Sequence, residues 1–330
     1  MSDDASGTAG QELKVDLVLE GGGVKGIGLL GAVLTLSEAG YSFPRVAGTS
    51  AGAIVASLVA AYQKAGRDLH ELREVMDTVD YSQFARSPTL ERMTGRLGQS
   101  VELLLHEGAH SGDYLAGWLG PVLAQVGVVT FGDLAIAPEA DPGSSLAPYQ
   151  RYSLVVHTSD VSRHALVRLP WDYPQYSRKP DEQRVADAVR ASMSIPFYFQ
   201  PVHMETGAGK VTWVDGGLLS NFPITVFDRT DGLDPRWPTW GVKLSALPQP
   251  KPDVPVKSAL GIAVNSLETL TGDWNRYHLQ EEGVSQRTIY VDTAGMSATD
   301  FHLGPQDRSR LFSSGQEAAR QFLARVHHTP

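Results

Sequence analysis

Two short apolar runs, each broken by glycine and each followed at once by helical spacing, constrain this chain more than any other feature. The first, Val15-Asp-Leu-Val-Leu-Glu20, ends in three glycines and passes into apolar residues at helical intervals from Val24 to Ala39, with Gly40 as the stop. The second, Arg45-Val-Ala-Gly-Thr49, passes through Ser50 into the alanine-rich stretch Ala51 to Ala65. Strand, tight turn and helix, twice in succession, predict parallel strands, because a helical crossover returns the chain to the same end of the sheet. Further strands are predicted at Tyr152 to Thr158, Ala165 to Leu169, Val211 to Val214, Trp240 to Leu244 and Thr288 to Asp292. Helical spacing recurs at Asp181 to Met193, where Pro196 ends it, and at Lys257 to Leu279 and Arg308 to Val326. Residues 66 to 137 read as mostly helical, with runs at Val101 to Leu105 and Tyr114 to Val126, forming a cap or outer helices before a Pro/Ser-rich loop, Ala137 to Pro148. The expectation is an α/β protein with a mainly parallel central sheet.

Hydrophobic residues make up 42% of the 330 residues, enough to cover both faces of such a sheet. The 37 acidic and 28 basic side chains give a net charge of −9 without any block of like charge. That balance argues against a nucleic-acid surface and against strong attraction to anionic bilayers, so peripheral membrane contact would be mainly apolar. The absence of cysteine excludes a disulfide framework and thiolate chemistry. Met1 to Gly10 is small and polar, without the basic start and apolar stretch of a secretory signal, and the longest apolar run, Ala51 to Tyr62, falls short of the roughly 20 residues that span a bilayer. Residues 1–12 therefore read as a disordered leader to one domain over 13–330, and the location as cytoplasmic. The oligomeric state is left open.

Three short segments carry chemistry. Gly21-Gly-Gly-Val-Lys-Gly26 lies between strand and helix, where backbone N–H groups and the helix dipole favour negative charge. The same letters satisfy a dinucleotide fingerprint, but the second strand ends in Gly48-Thr49-Ser50 rather than in the acidic residue that would bind a ribose. A phosphate P-loop fails as well, since the Gly209-Lys210 pair is followed by Val211. Gly48-Thr-Ser-Ala-Gly52 is a G-x-S-x-G elbow, which lifts Ser50 onto a sharp strand-to-helix turn as a candidate nucleophile. The blander reading is a serine cap on the following helix. Val211-Thr-Trp-Val-Asp-Gly-Gly217 places Asp215 at a strand end before Gly216 and Gly217, either as a general base or as a turn former.

In this order, Gly21 to Gly26, Gly48 to Gly52 and Asp215-Gly-Gly217 resemble the three signatures of patatin-like phospholipases. Ala191-Ser-Met-Ser-Ile-Pro-Phe-Tyr-Phe-Gln-Pro201 resembles the segment before the family's aspartate, and Asp300-Phe-His-Leu303 with the last helix resembles its ending. The resemblance covers most of residues 13 to 326. It implies a three-layer α/β/α patatin-like fold bearing a Ser-Asp dyad, with Ser50 as nucleophile, Asp215 as base and N–H groups around Gly22 and Gly23 as oxyanion hole. It implies a lipid ester substrate (phospholipid, lysophospholipid or simpler acyl ester) and no metal or organic cofactor. Glu20 stands where many members carry aspartate, and Asp-Gly-Gly replaces the commoner Asp-Gly-Ala.

An ordinary aspartate, with a pKa near 3.9, is a weak base toward a serine hydroxyl, so the dyad calls for burial around Asp215. His157, near a strand end, is the histidine placed to act as a third member, although a core role suits it better. Two other classes compete with the hydrolase. One is a lipid-binding protein without catalysis. The other is a zinc peptidase, since His106-Glu-Gly-Ala-His110 fits H-E-x-x-H, but Gly108 within the motif and Ser111-Gly112 after it break the helix that would aim both imidazoles. Phe197, Tyr198, Phe199, Trp171, Tyr173 and Tyr176 are candidates for an acyl pocket or an interfacial rim, with core packing as the default for most of them.

Overall fold

The protein is described here from a computed structural model, which covers residues 13–80, 83, 113–140, 146–196, 199–207, 209–244, 282–296 and 303–327. In chain order the strands and the α-helices of seven residues or more are β1 (Leu13–Lys14), β2 (Asp16–Leu19), α1 (Gly26–Glu38), β3 (Tyr41–Ser42), β4 (Val46–Thr49), α2 (Ala51–Lys64), α3 (Glu71–Asp77) and α4 (Asp113–Gln125). They continue with β5 (Leu154–Asp160), β6 (Ala165–Leu169), α5 (Val185–Ser192), β7 (Val202–Thr206), β8 (Gly209–Asp215), β9 (Thr239–Lys243), β10 (Thr288–Tyr290) and α6 (Pro305–His327). Eight strands form one sheet in the order β10-β9-β2-β4-β5-β8-β7, with β6 also on β5. Pairings from β10 through to β5 are parallel, while β5/β6, β5/β8 and β7/β8 are antiparallel. The result is a three-layer α/β fold with a mostly parallel sheet, as the sequence predicts.

The predicted helices over 101–105 and 257–279 lie outside the described residues, as do the leader, His106 to His110, Phe197, Tyr198 and Asp300 to His302. Of the predicted elements that are described, each forms within a few residues of its expected bounds. The unpredicted strands are β1 and β3, two residues each and paired with one another, and β7, whose sequence Val-His-Met-Glu-Thr alternates apolar and polar side chains as an edge strand does.

Strand β5 is the organiser. Its residues Leu154–His157 pair with β4, Val156–Asp160 with β6 and Thr158–Asp160 with β8. A strand has only two edges, so the overlaps at Val156–His157 and Thr158–Asp160 force β4 and β8 onto the same edge, opposite β6. There β4 ends at Thr49 facing His157, and β8, running the other way, ends at Asp215 facing Thr158. Two carboxyl-terminal strand ends therefore meet head to head, one strand residue apart along β5, a rise of about 3.3 Å.

Helices α1, α2, α5 and α6 cover one face. On the other, Phe222 and Ile224 lie against Gly241. Helices α1 and α6 approach so closely that a Cβ on Gly31 would overlap the Phe312 carbonyl and one on Gly315 would overlap the Gly28 carbonyl. Forcing a methyl into such a crossing costs about 1–3 kcal/mol. Gly117, exposed on α4 with no neighbour near its Cβ direction, is the control, where alanine gains about 0.5–1 kcal/mol of helix propensity. Urea unfolding should show Gly31→Ala and Gly315→Ala with lowered midpoints and Gly117→Ala with a raised one.

Candidate functional site

The junction of β4 and α2 holds Ser50 at φ 52° and ψ −123°, a left-handed conformation that costs a non-glycine residue about 1–3 kcal/mol. The flanking glycines are required by contact. A Cβ on Gly48 would overlap the Gly52 carbonyl, and one on Gly52 would overlap the Leu19 carbonyl at the end of β2. The elbow is pressed against itself and against the neighbouring strand, and its serine is 4% exposed.

Two residues on the α5 side hold Ser50. Its N–H donates to Ser192 Oγ at 2.8 Å, and Ser192 Oγ donates onward to the His157 carbonyl at 2.6 Å. The Ser50 hydroxyl donates to Met193 Sδ at 3.4 Å. Ser192 and Met193 belong to the segment that resembles the family's, yet neither spacing nor residue type marks them as parts of a site. Geometry is what reveals them.

Asp215 is 3% exposed and lies on the far side of the strand junction. Its Oδ1 accepts the Gly217 N–H at 2.7 Å, while Oδ2 has no hydrogen-bond partner among the described residues. The Ser50 hydroxyl is close enough to favour the ionised carboxylate, even though its own hydrogen bond runs to Met193. Gly216 permits this approach, since a Cβ there would overlap the His157 carbonyl.

The glycine-rich loop completes the enclosure. Gly22, at φ −170°, leads into a 3-10 turn over Gly23–Lys25, in which Gly23 has φ 56°, and α1 starts at Gly26. Neither the Gly22 nor the Gly23 N–H donates to a partner among the described residues. Gly21 is clamped to the chain that follows Asp215. Its N–H donates to the Asn221 carbonyl at 3.0 Å, and Asn221 Nδ2 donates to the Gly21 carbonyl at 3.1 Å. A Cβ on Gly21 would stand 3.2 Å from Ser50 Cβ. The carboxylate of Glu20, buried just before the loop, accepts from Lys243 Nζ and from the Leu244 N–H, tying the loop to β9. The longer glutamate therefore has a partner set of its own at a position where aspartate is common.

His157 does not join this group. Thr158 is the residue facing Asp215, and successive strand residues point to opposite faces, so the imidazole lies on the other side of the sheet. It is fully buried, and both ring nitrogens lack a hydrogen-bond partner among the described residues. Burial lowers its pKa to about 4, and the nearby Gly48 carbonyl opposes that shift without completing a hydrogen bond. Trp171, Tyr173, Tyr176 and Phe199 are all at most 5% exposed and belong to the core, with Trp171 also lining a cavity on the His157 side. Among the described residues no three His, Cys, Asp or Glu side chains gather as a metal site, and no helix is long and apolar enough to cross a membrane.

A family model described as patatin-like phospholipase matches residues 17–228. The uncharacterized protein YqhO of Bacillus subtilis is 33% identical over 309 residues, covering 94% of this chain and 98% of that one. The uncharacterized NTE family protein MT2641 of Mycobacterium tuberculosis is 28% identical over 217 residues, 66% of this chain but 28% of the relative, so the match spans little more than a quarter of its length. Among solved structures, VipD from Legionella pneumophila is similar in fold, with a TM-score of 0.52 at 20% identity over 95% of this chain and 67% of that one.

Burial raises the Asp215 pKa to about 7, against smaller lowering contributions from the Ser50 hydroxyl and the Gly217 N–H. A folded-state pKa above the unfolded value of roughly 3.9 means that stability is fully present below pH ~4 and is lost as pH rises through about 7. Asp215→Asn removes that loss. Thermal unfolding should show wild type and Asp215→Asn alike near pH 4, with the variant gaining toward pH 8 by at most about 4 kcal/mol, since one pKa unit is worth about 1.4.

Proposed function

The chain belongs to the patatin-like phospholipase family, and from that premise we propose that it is a serine lipid acyl hydrolase in which Ser50 is the nucleophile and Asp215 the general base. The observation that carries the reading is the head-to-head meeting of β4 and β8 on β5, which brings a strained, glycine-flanked serine beside a buried carboxylate. Membership supports hydrolysis of a lipid ester. The dyad and the steps below are our reading of the geometry.

Ser50 Oγ leaves Met193 and attacks the ester carbonyl carbon while its proton passes to Asp215 Oδ2, the carboxylate oxygen without another partner. The oxyanion that forms meets the Gly22 and Gly23 N–H groups, each such donor contributing roughly 3 kcal/mol to the transition state. Collapse of the tetrahedral adduct expels the alkoxide, which takes the proton from Asp215 and leaves an acyl group on Ser50. A water molecule, deprotonated by Asp215, then attacks the acyl carbon, and Ser50 recovers its proton as the fatty acid departs. Every proton and electron pair in these steps is supplied by the chain, the ester or water. A buried aspartate titrating near 7 is a better base than one near 3.9, because the ideal general base lies close to the working pH. Phospholipids, lysophospholipids and simpler acyl esters all carry the reacting group, reached through peripheral, mainly apolar contact with lipid.

Hydrolysis of a medium-chain p-nitrophenyl ester and labelling by a fluorophosphonate should fall at least about 10³-fold in Ser50→Ala, with Asp215→Asn losing hydrolysis comparably. A wild type that neither hydrolyses nor labels would leave lipid binding without catalysis. Because the base must be ionised, kcat/KM should fall about tenfold per pH unit below about 7. A plateau holding down to pH 4 would refute the raised pKa. Ser192→Ala, which strips the Ser50 N–H of its acceptor, should lower kcat roughly 5- to 100-fold, the effect of one lost buried hydrogen bond.

A further inference from the structure

Asn221, in the chain that follows Asp215, is tied to the glycine loop twice. Its carbonyl accepts the Gly21 N–H at 3.0 Å, and its Nδ2 donates to the Gly21 carbonyl at 3.1 Å. A carbonyl oxygen can only accept, so the amide nitrogen must face Gly21 and the orientation of the side chain is fixed. That leaves Oδ1 as the free end. It accepts no hydrogen bond among the described residues and, in a residue only half-buried, keeps accessible surface.

Two glycines leave this oxygen uncovered. A Cβ on Gly21 would lie 2.2 Å from Asn221 Oδ1 and 3.2 Å from Ser50 Cβ, and one on Gly217 would lie 2.8 Å from Asn221 Oδ1 and 2.9 Å from Asp215 Oδ1. The amide oxygen is thus a near neighbour of the serine on one side and of the carboxylate on the other. We propose that Asn221 Oδ1 is a third catalytic group, the acceptor that orients the water molecule which releases the acyl group from Ser50. This role exists only if the hydrolase reading above holds, and it adds a residue to the second half of that reaction.

The two halves of the reaction make different demands. In acylation the nucleophile is tethered, and Asp215 takes the one proton that Ser50 carries. In deacylation the nucleophile is a free water molecule with two protons, and an acceptor for the first alone leaves it to rotate about that bond. An acceptor for the second aims a lone pair at the acyl carbon, and orientation of this kind is a large part of what an enzyme contributes. A carboxamide oxygen suits the task because it accepts hydrogen bonds without competing for the proton. As the water oxygen bonds to the acyl carbon, its first proton passes to Asp215 and its second stays in place, hydrogen-bonded to Asn221. The tetrahedral adduct then breaks its bond to Ser50 Oγ, which takes the proton back from Asp215, and the second proton leaves on the carboxylic acid. Asn221 gains and loses nothing.

A medium-chain p-nitrophenyl ester separates the steps at about pH 8.5, where Asp215 is ionised. The burst of p-nitrophenolate in stopped flow reads acylation, and decay of the acyl-enzyme by intact mass reads deacylation. In Asn221→Ala the burst and the rate of fluorophosphonate labelling should stay within about threefold of wild type, while acyl-enzyme decay slows by about tenfold or more, the worth of one hydrogen bond. Hydroxylamine, a stronger nucleophile that depends less on orientation, should restore release. Asn221→Asp, which keeps an acceptor in place and gives up the Nδ2 donor, should recover most of the lost decay rate. Burst and decay falling together in Asn221→Ala, or Asn221→Asp failing as badly as Asn221→Ala, would assign the residue to holding the loop and overturn the proposal. Unchanged decay in Asn221→Ala would overturn it too and leave the hydrolase standing. A wild type with neither burst nor labelling would remove the hydrolase reading itself, so the two failures are told apart.

Discussion

The whole site depends on the sharing of one edge of β5 between two strands that run toward each other. Where β4 and β8 meet, neither can extend without colliding with the other, so the chain must turn away at Thr49 and at Asp215. Both turns leave backbone groups that sheet pairing cannot satisfy, and buried backbone groups have to find partners. The partners found are the ones that build the site. The Ser50 N–H goes to Ser192 Oγ, which reaches the His157 carbonyl, and Thr49 Oγ1 donates to the Ser220 carbonyl at 3.2 Å. A serine held in the left-handed region is thus a consequence of the sheet's topology. The strain at Ser50 is sustained by everything packed around the junction.

Strand β2 is anchored at both ends by buried ion pairs, Asp16 with Arg45 and Glu20 with Lys243. Burying charge is costly, and such pairs contribute little net stability compared with apolar packing. Their value here is geometric. Arg45 immediately precedes β4, so its link to Asp16 sets the register of β4 against β2, and Glu20 holds the glycine loop to the end of β9. Removing one partner would leave an uncompensated buried charge at one end of β2, beside the Arg45 approach to β4 or beside the glycine loop. Breaking either pair should therefore disturb the site out of proportion to its share of the core.

The parts of this architecture written in local residues were legible in the sequence. The two β-turn-α units, the elbow and the aspartate at a strand end each occupy a few consecutive positions, where glycine and apolar spacing record the turn and the period. The sharing of one β5 edge by β4 and β8 was not legible, because those pairings join residues more than 50 positions apart and leave no local trace. For the same reason Ser192, Met193 and Asn221 could not be assigned roles. Their side chains act on backbone or sulfur partners that only the fold brings near. Strand β7 escaped because its alternation is short and half polar, as an exposed edge allows.

The two titratable side chains nearest the junction show how much rests on register. Asp215 and His157 are both buried, and burial drives both toward their neutral forms, raising one pKa to about 7 and lowering the other to about 4. Their chemical prospects differ because Asp215 is paired with Thr158 rather than with His157, which puts carboxylate and imidazole on opposite faces of the sheet. A slip of one residue between β5 and β8 would bring Val214 to the serine and turn the carboxylate away from it. The antiparallel hairpin of β7 and β8, paired over five positions, guards against that slip. A histidine near the serine in sequence reasoning thus becomes the wall of a separate cavity, and the parity of a strand leaves the aspartate as the candidate base.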